Sequence, residues 1–209
     1  IYELVSGCLI DFGCDVENFN KKNWNPMVNW IKPGDKVFIL PNFVMHRRSG
    51  ESVNQFFSKC THSSIIIPII DFTIRATKDP SLVTIGNSPL QSCDYDVLLS
   101  EIGFNSVEEY FEKKGLKINV ADLRLYKSKL NKLGVRTQNE LIDDETKFKS
   151  FNLGTNSFLE SHYNYSNPKY RVGDYDYRIT ESFHSKGRHE YVINQKIVDA
   201  DVIISVPKL

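Results

Sequence analysis

Polar residues with hydrogen-bonding side chains follow three predicted strands of this 209-residue chain. Asn42 follows the first strand, Asn87 and Ser88 follow the second, and Lys208 follows the last. In an open α/β sheet, ligands bind outside the carboxyl ends of the strands, and amide, hydroxyl and ammonium groups there suit a phosphate or a carboxylate. We therefore predict that these residues bind a small anion. The alternative is that each is an ordinary turn residue.

Two further polar residues, Thr61 and His62, stand where a helix is predicted to begin. An imidazole at such a position can meet an anion or act as a general acid or base. We take His62 as the candidate catalytic residue and Thr61 as a further ligand-binding residue. Thr61 is also the expected N-cap of the helix. The alternative is that His62 only caps its own helix.

The cysteines and the other histidines do not follow a metal-binding pattern. No Cys-x-x-Cys spacing links the four cysteines, so the chain has no zinc or iron–sulfur motif: Cys8, Cys14, Cys60 and Cys93. We expect reduced, structural thiols, with a Cys8–Cys14 disulfide left open as an alternative. His184 and His189 would form a metal pair only on a helix, and Gly187 between them argues against one. No metal site and no particular cofactor is predicted.

The elements that carry these residues alternate between strand and helix. Apolar runs bounded by turn residues predict strands over 36–40, 82–85, 117–120 and 202–206. Apolar periodicity and capping residues predict helices over 63–76, 94–102 and 106–114, and a short one within 193–201. This alternation is typical of an α/β fold with a mostly parallel sheet and helices on both faces.

Residues 125–190 depart from that alternation and are rich in tyrosine and polar residues. From Tyr170 to Ile179 the residues alternate around a Gly-Asp turn, which predicts antiparallel strands. We predict one α/β domain over residues 1–209 with an irregular or antiparallel, hairpin-rich insertion at 125–190. The missing initiator methionine and the apolar run before Leu209 lead us to expect a fragment of a longer chain.

The charge balance argues against two classes of partner. Lys and Arg together number 26, as do Asp and Glu, so the chain lacks the basic excess of a nucleic-acid or anionic-membrane binder. The aromatic segment from Phe158 to Tyr191 also has equal numbers of basic and acidic side chains, so we exclude base stacking there. No apolar stretch approaches the roughly 20 residues of a membrane span. We expect a soluble protein, with the cytoplasm as its location.

Five motifs occur in the order seen in the family catalogued as domain of unknown function 362, and the chain resembles that family over about residues 25–125 and 190–209. The closing run is the most specific of the motifs, which are Lys32–Asp35, Pro41–Asn42, Thr61–His62, Gly86–Pro89 and Ala200–Leu209. The resemblance implies an α/β fold with a parallel sheet. Because some members of the family carry a ferredoxin-like iron–sulfur domain, it also implies such a domain elsewhere in the full protein.

Two positions differ from the family pattern. Leu40 stands where the family commonly has lysine, and Asn87 where it commonly has an acidic residue. Both differences remove charge from the rim of the expected site.

Three functions follow from these observations. The first is a small-molecule enzyme or ligand-binding domain with an anion site at the carboxyl edge of the sheet. The second is a redox-accessory protein associated with an iron–sulfur domain outside this chain. The third is an assembly or scaffold protein, which would show a large exposed apolar patch.

Overall fold

The computed structural model describes residues 1–133, 136–162 and 177–208 of the chain. The contacts divide the chain into two compact units. The first comprises Ile1–Asp143 and Asp199–Leu209, and the second comprises Asp144–Val198. Each is described by itself below.

The first unit contains a parallel sheet of short, apolar strands. In chain order the strands are β1 (Val37–Pro41), β2 (Val83–Asn87), β3 (Asn119–Asp122) and β9 (Val202–Val206), and their order in the sheet is β3-β2-β1-β9. Ile39 pairs with Ile85 on one side and with Ile204 on the other, so branched side chains form a continuous row across the central strands.

The helices of this unit pack their apolar faces around that row. They are α1 (Tyr2–Asp11), α2 (Val53–Phe57), α3 (Ser63–Thr77), α4 (Tyr95–Glu101) and α5 (Phe104–Glu112). One buried cluster combines Ile39 and Ile85 with Ile66 of α3, Leu98 of α4 and Val107 of α5. Each of these five side chains is at most marginally exposed, which makes this cluster the main source of stability of the unit.

The second cluster of this unit surrounds the carboxyl-terminal half of α3. It joins Trp24, Val37 and Phe72, with Tyr2 of α1 packed against it. The ring of Phe72 makes edge contacts with Tyr2 and with Trp24, at 5.2 Å between centroids in both cases. These contacts fix the segment between α1 and β1 against α3.

The α/β class, with a parallel sheet and antiparallel hairpins, is confirmed. The predicted strand 202–206 matches β9, whereas β3 begins two residues later than predicted. The polar segment 43–59, for which no helix was predicted, contains α2. Its signal is a capping box, in which Ser52 and Gln55 satisfy each other's backbone N–H groups.

Two sets of antiparallel strands lie between β3 and β9 in the sequence. In the first unit, β4 (Tyr126–Leu130) pairs with β5 (Arg136–Leu141). In the second unit, β6 (Phe148–Asn152), β7 (His184–Ser185) and β8 (Arg188–Asn194) form a sheet in the order β6-β8-β7. The same unit contains α6 (Tyr177–Phe183) and α7 (Gln195–Val198), the latter within the predicted short helix.

The hairpin predicted over 170–179 lies mostly outside the described residues. Its last three residues belong to α6, so the strand prediction for 177–179 is wrong. In the part of the chain that the model describes, no helix has the length and apolar character that crossing a membrane requires.

Candidate functional site

The four parallel strands end along one edge of the sheet. Their last residues are Pro41, Asn87, Asp122 and Val206. Because the strands run in the same direction, the segments that follow them emerge together, and the backbone groups there have no further ladder partners. The side chains predicted to bind a ligand lie on these segments.

Thr61 joins the ends of β1 and β9 through its hydroxyl group. Its Oγ1 accepts a hydrogen bond from the backbone N–H of Asn42 at 2.9 Å and donates one to the carbonyl of Val206 at 2.9 Å. The Thr61 N–H donates to the Asn42 carbonyl at 3.0 Å, and the Asn42 amide donates to the carbonyl of Lys59 at 2.8 Å. Thr61 is 4% exposed, so its hydroxyl holds strand ends together and is not open to a ligand.

Asn87 plays the same part on the neighbouring strand. Its Nδ2 donates to the carbonyl of Pro41, and its Oδ1 accepts from the N–H of Ser88 at 2.6 Å. Its own carbonyl accepts from the N–H of Leu123 at 3.0 Å. Asn87 therefore links the ends of β1, β2 and β3 and has both side-chain atoms engaged.

Gly86 allows the close packing of this edge. A methyl group at that position would overlap the backbone carbonyl oxygen of Ala121 on β3. The glycine thus lets one strand approach the next.

His62 is the N-cap of α3, which corrects the prediction that Thr61 caps this helix. Its Nδ1 accepts a hydrogen bond from the N–H of Ser64 at 3.0 Å, so in the neutral ring the proton is on Nε2. The ring lies 4.7 Å from the ring of Phe57, and the residue is exposed. Because the cap occupies Nδ1, this histidine offers a donor at Nε2 and not a free basic nitrogen.

Ser88 and Lys208 complete the set of predicted site residues, and both are exposed. Within residues 1–133, 136–162 and 177–208, neither side chain has a hydrogen-bond or ionic partner. Lys208 stands two residues after Val206, whose carbonyl is held by Thr61. The groups with donors left for a ligand are thus His62 Nε2, the Ser88 hydroxyl and the Lys208 ammonium.

Arg124 is the charged residue at this edge that the sequence analysis missed. Its side chain is 4% exposed and forms an ion pair with Asp122 at 2.6 Å. Its Nη1 also donates to the carbonyls of Leu90 and Cys93, at 3.0 and 2.8 Å. The Asp-x-Arg spacing after β3 would have indicated this ion pair, had the strand been predicted to end at Asp122.

The cysteines are not arranged for redox or cluster chemistry. All four thiols are free, which leaves the Cys8–Cys14 disulfide without support. Burial raises the pKa of the Cys93 thiol to about 11, so it is not a reactive thiolate at neutral pH. Among the described residues, no group of three or more His, Cys, Asp or Glu side chains is placed to hold a metal ion.

His184 and His189 are direct partners across the β7–β8 pair. Their rings stack at 5.7 Å between centroids, and the fully buried His189 contacts Glu160 through Nε2 at 3.0 Å. The pairing arises from a hairpin, in agreement with the expectation that Gly187 prevents a helix there.

Comparison of the chain with protein-family models, with curated proteins and with solved structures finds no match.

Proposed function

We propose that the protein binds a small anion at the carboxyl edge of its parallel sheet, through His62, Ser88 and Lys208. In this proposal Asn42, Thr61 and Asn87 position the site and do not contact the ligand. The observation that carries it is the N-cap of α3, since the bond from Ser64 to His62 Nδ1 leaves an Nε2–H donor at the exposed start of a 15-residue helix.

The charges at this edge support an anion over a cation. The helix dipole of α3 places positive potential at its first turn, and Lys208 adds a full charge two residues beyond β9. The carboxylate of Asp122 is neutralised by Arg124 at 2.6 Å and does not offset that charge. A phosphate or carboxylate of a small metabolite is the class of ligand that such donors recognise.

The resemblance to the family catalogued as domain of unknown function 362 is part of this proposal. The residues that carry it, from Pro41–Asn42 through Thr61–His62 to Lys208, include those that hold the strand ends and those proposed to bind the anion. Motifs that combine both kinds of residue are expected if members of that family bind a ligand at this edge of the sheet.

The test is isothermal titration with inorganic phosphate and with citrate as probes, using His62→Asn and Lys208→Ala. Asparagine is as good an N-cap as any residue, so His62→Asn keeps α3 capped and removes the Nε2 donor. We expect each variant to weaken binding of at least one probe about tenfold, because one charge-assisted hydrogen bond contributes about 1.5–3 kcal/mol.

The control is Lys113→Ala, which removes an exposed lysine of the segment after α5 and should change nothing. Binding that is unaffected by both site variants would contradict the proposal. So would iron with sulfide retained by the purified full-length protein and lost with these variants, which would favour the redox-accessory function.

A further inference from the structure

The segment between α1 and β1 is built around Asp15 and Trp24. The Asp15 carboxylate accepts from the N–H of Asn25 at 2.7 Å and from the side-chain amide of Asn18 at 2.6 Å. Trp24 is 6% exposed and makes edge contacts with the rings of Phe19 and Phe72, at 5.3 and 5.2 Å. The segment is therefore anchored by hydrogen bonds and aromatic packing, as the walls of a preformed site must be.

Two adjoining clefts lie along this segment, and both are lined by Lys22 and Arg75. The first has a volume of about 470 Å³ and is lined further by asparagine amides, Lys32 and Lys78. The second has a volume of about 520 Å³ and is lined further by Tyr2, Phe19, Trp24 and Lys21. Each volume falls in the range of small-molecule sites. The first cleft thus combines basic and amide groups with apolar side chains such as Val28 and Ile31, and the second contains the aromatic rings.

Arg75 stands at the junction of the clefts and is held in place by the fold. Its Nη1 donates to the carbonyl of Trp24 at 2.8 Å, and its Nη2 lies 3.6 Å from Asp71 Oδ2. The guanidinium has five donors in a fixed plane, so donors remain for a bidentate contact with a phosphate.

Basic side chains outnumber acidic ones around both clefts, although the whole chain has no net charge. The basic residues are Lys21, Lys22, Lys32, Arg75 and Lys78, and the acidic ones are Glu3 and Asp15. The N–H of Asn25 and the amide of Asn18 hold the pKa of Asp15 below its usual range and occupy its carboxylate. Across the described ranges, Lys22, Lys32 and Lys78 have no acidic partner.

Unusual backbone conformations coincide with these clefts. Three non-glycine residues in the described part of the chain have positive φ angles: Asp15 at 48°, Asn20 at 63° and Lys78 at 61°. Asp15 and Lys78 line the first cleft, and Asn20 lines the second. Lys78 is the C-cap of α3 in the left-handed region, a conformation that favours glycine or asparagine, so lysine stands there against the backbone preference.

We propose that the two clefts form a nucleotide-binding site separate from the carboxyl edge of the sheet. The base contacts the exposed Phe19 and the accessible part of the half-buried Tyr2 in the aromatic cleft, because planar rings pack against accessible aromatic faces. The phosphate contacts Arg75 and Lys22 at the junction and Lys78 in the first cleft. A ligand that carries both a planar base and a phosphate explains why the cleft with aromatic rings adjoins the cleft with basic side chains.

The test is a titration with AMP that reads the fluorescence of Trp24. The chain has two tryptophans, and Trp30, which lies outside both clefts, is replaced by Phe so that Trp24 is the only indole. We expect AMP to change this fluorescence and to bind at least about tenfold more tightly than adenosine or inorganic phosphate, since each supplies only one of the two parts.

Lys22→Ala and Lys78→Gly are the informative variants. Each should weaken AMP binding about tenfold, and Lys78→Gly should do so while keeping or raising the melting temperature, because glycine suits the left-handed conformation. Lys113→Ala and His62→Asn are the controls and should leave AMP affinity unchanged.

Three results would overturn this proposal. The first is that millimolar AMP does not change the fluorescence. The second is that Lys22→Ala and Lys78→Gly both leave the AMP affinity unchanged, and the third is that His62→Asn abolishes AMP binding. The last result would place AMP at the carboxyl edge of the sheet. If His62→Asn instead weakens phosphate binding and leaves AMP binding intact, the anion site and the nucleotide site are separate.

Discussion

The carboxyl edge of the sheet and the clefts beside Arg75 both collect polar side chains but engage them differently. At the edge, the side chains of Thr61 and Asn87 are bonded to backbone groups of neighbouring strands. At the clefts, Lys22 and Lys78 have no acidic partner among the described residues, whereas Arg75 is held by the carbonyl of Trp24 and by Asp71. The side chains of Thr61 and Asn87 therefore support the fold, while the ammonium groups of Lys22 and Lys78 remain available.

The difference has a simple physical origin. Where strands end, backbone N–H and C=O groups lose their ladder partners, and short side chains such as Thr and Asn are well placed to replace them. A lysine ammonium has no acceptor atom, so it cannot satisfy a backbone N–H, and it stays in solvent unless a carbonyl, an acid or a ligand lies within its reach. A polar residue at a strand end is therefore weak evidence for a ligand.

The largest expected effect is that of Gly86→Ala at the edge. The added methyl group would overlap the carbonyl of Ala121, so β2 and β3 would have to separate. We expect the free energy of unfolding to fall by about 4 kcal/mol or more, measured by urea denaturation.

Gly7→Ala is the matched control, since no atom beyond its chain neighbours and the adjacent backbone of its own helix lies within 4 Å of the added methyl group. Because Gly7 lies within α1, alanine there should stabilise the protein by about 0.5–1 kcal/mol. If Gly86→Ala and Gly7→Ala changed the free energy of unfolding equally, the close approach of β2 and β3 at Gly86 would not be needed for stability.

Thr61→Val should have an intermediate effect. Valine keeps the shape but leaves the N–H of Asn42 and the carbonyl of Val206 without their partner. We expect a loss of about 2–3 kcal/mol in the free energy of unfolding, since a buried unpaired group costs about 1–3 kcal/mol.

Thr61→Ser retains the hydroxyl and should recover most of that stability. If the valine and serine variants are equally stable in thermal and urea unfolding, the Thr61 hydroxyl does not hold the strand ends together. Thr61 would then no longer distinguish the edge of the sheet from the clefts.

The smallest expected effect concerns Asp71, the acid that lies beside the clefts. It accepts hydrogen bonds from the Tyr2 hydroxyl and from Lys114, both at 2.7 Å. Burial opposes its ionisation, but the hydrogen bonds from Lys114 and Tyr2 outweigh that effect and hold its pKa below the usual 3.8. Because Lys114 and Arg75 are partly exposed, we expect Asp71→Asn to cost only about 1 kcal/mol at neutral pH.

The pH dependence of this effect has a definite sign. A carboxylate whose pKa is lowered by folding contributes stability that is complete above its unfolded pKa and lost as the pH falls through its folded pKa. The stability difference between wild type and Asp71→Asn should therefore shrink as the pH is lowered below about 4. A difference that stays constant in urea unfolding down to about pH 3 would show that Asp71 titrates alike in both states.

Local patterns predicted most of the parallel sheet. Apolar runs bounded by turn residues located β1, β2 and β9 within a residue or two, because burial of both faces leaves a strand with an uninterrupted apolar sequence. The helix at 63–76 was located for the same reason, since its apolar periodicity reflects contact with the sheet.

What the sequence could not predict depends on partners far along the chain. Thr61 has the side chain of an N-cap, but its hydroxyl is occupied by Asn42 and by Val206, the latter 145 residues away, so His62 takes the cap instead. The clefts beside Arg75 escaped notice for a related reason. Their cations come from the segment after α1 and from the end of α3, which are brought together by the packing of Trp24 on Phe72 and by the hydrogen bond from Arg75 to the Trp24 carbonyl.

The position of β9 beside β1 has a consequence for folding kinetics and for tolerance to insertions. The N–H of Lys36 bonds to the carboxylate of Asp201 across 165 residues, so completing the sheet closes a very long loop. Contacts of such sequence separation form late, and a ribosome-bound chain exposes the free side of β1 until β9 emerges. Loop-closure entropy rises only by about 0.6 kcal/mol for each doubling of loop length. The chain between β3 and β9 can therefore lengthen or shorten with little effect on the equilibrium stability of the sheet.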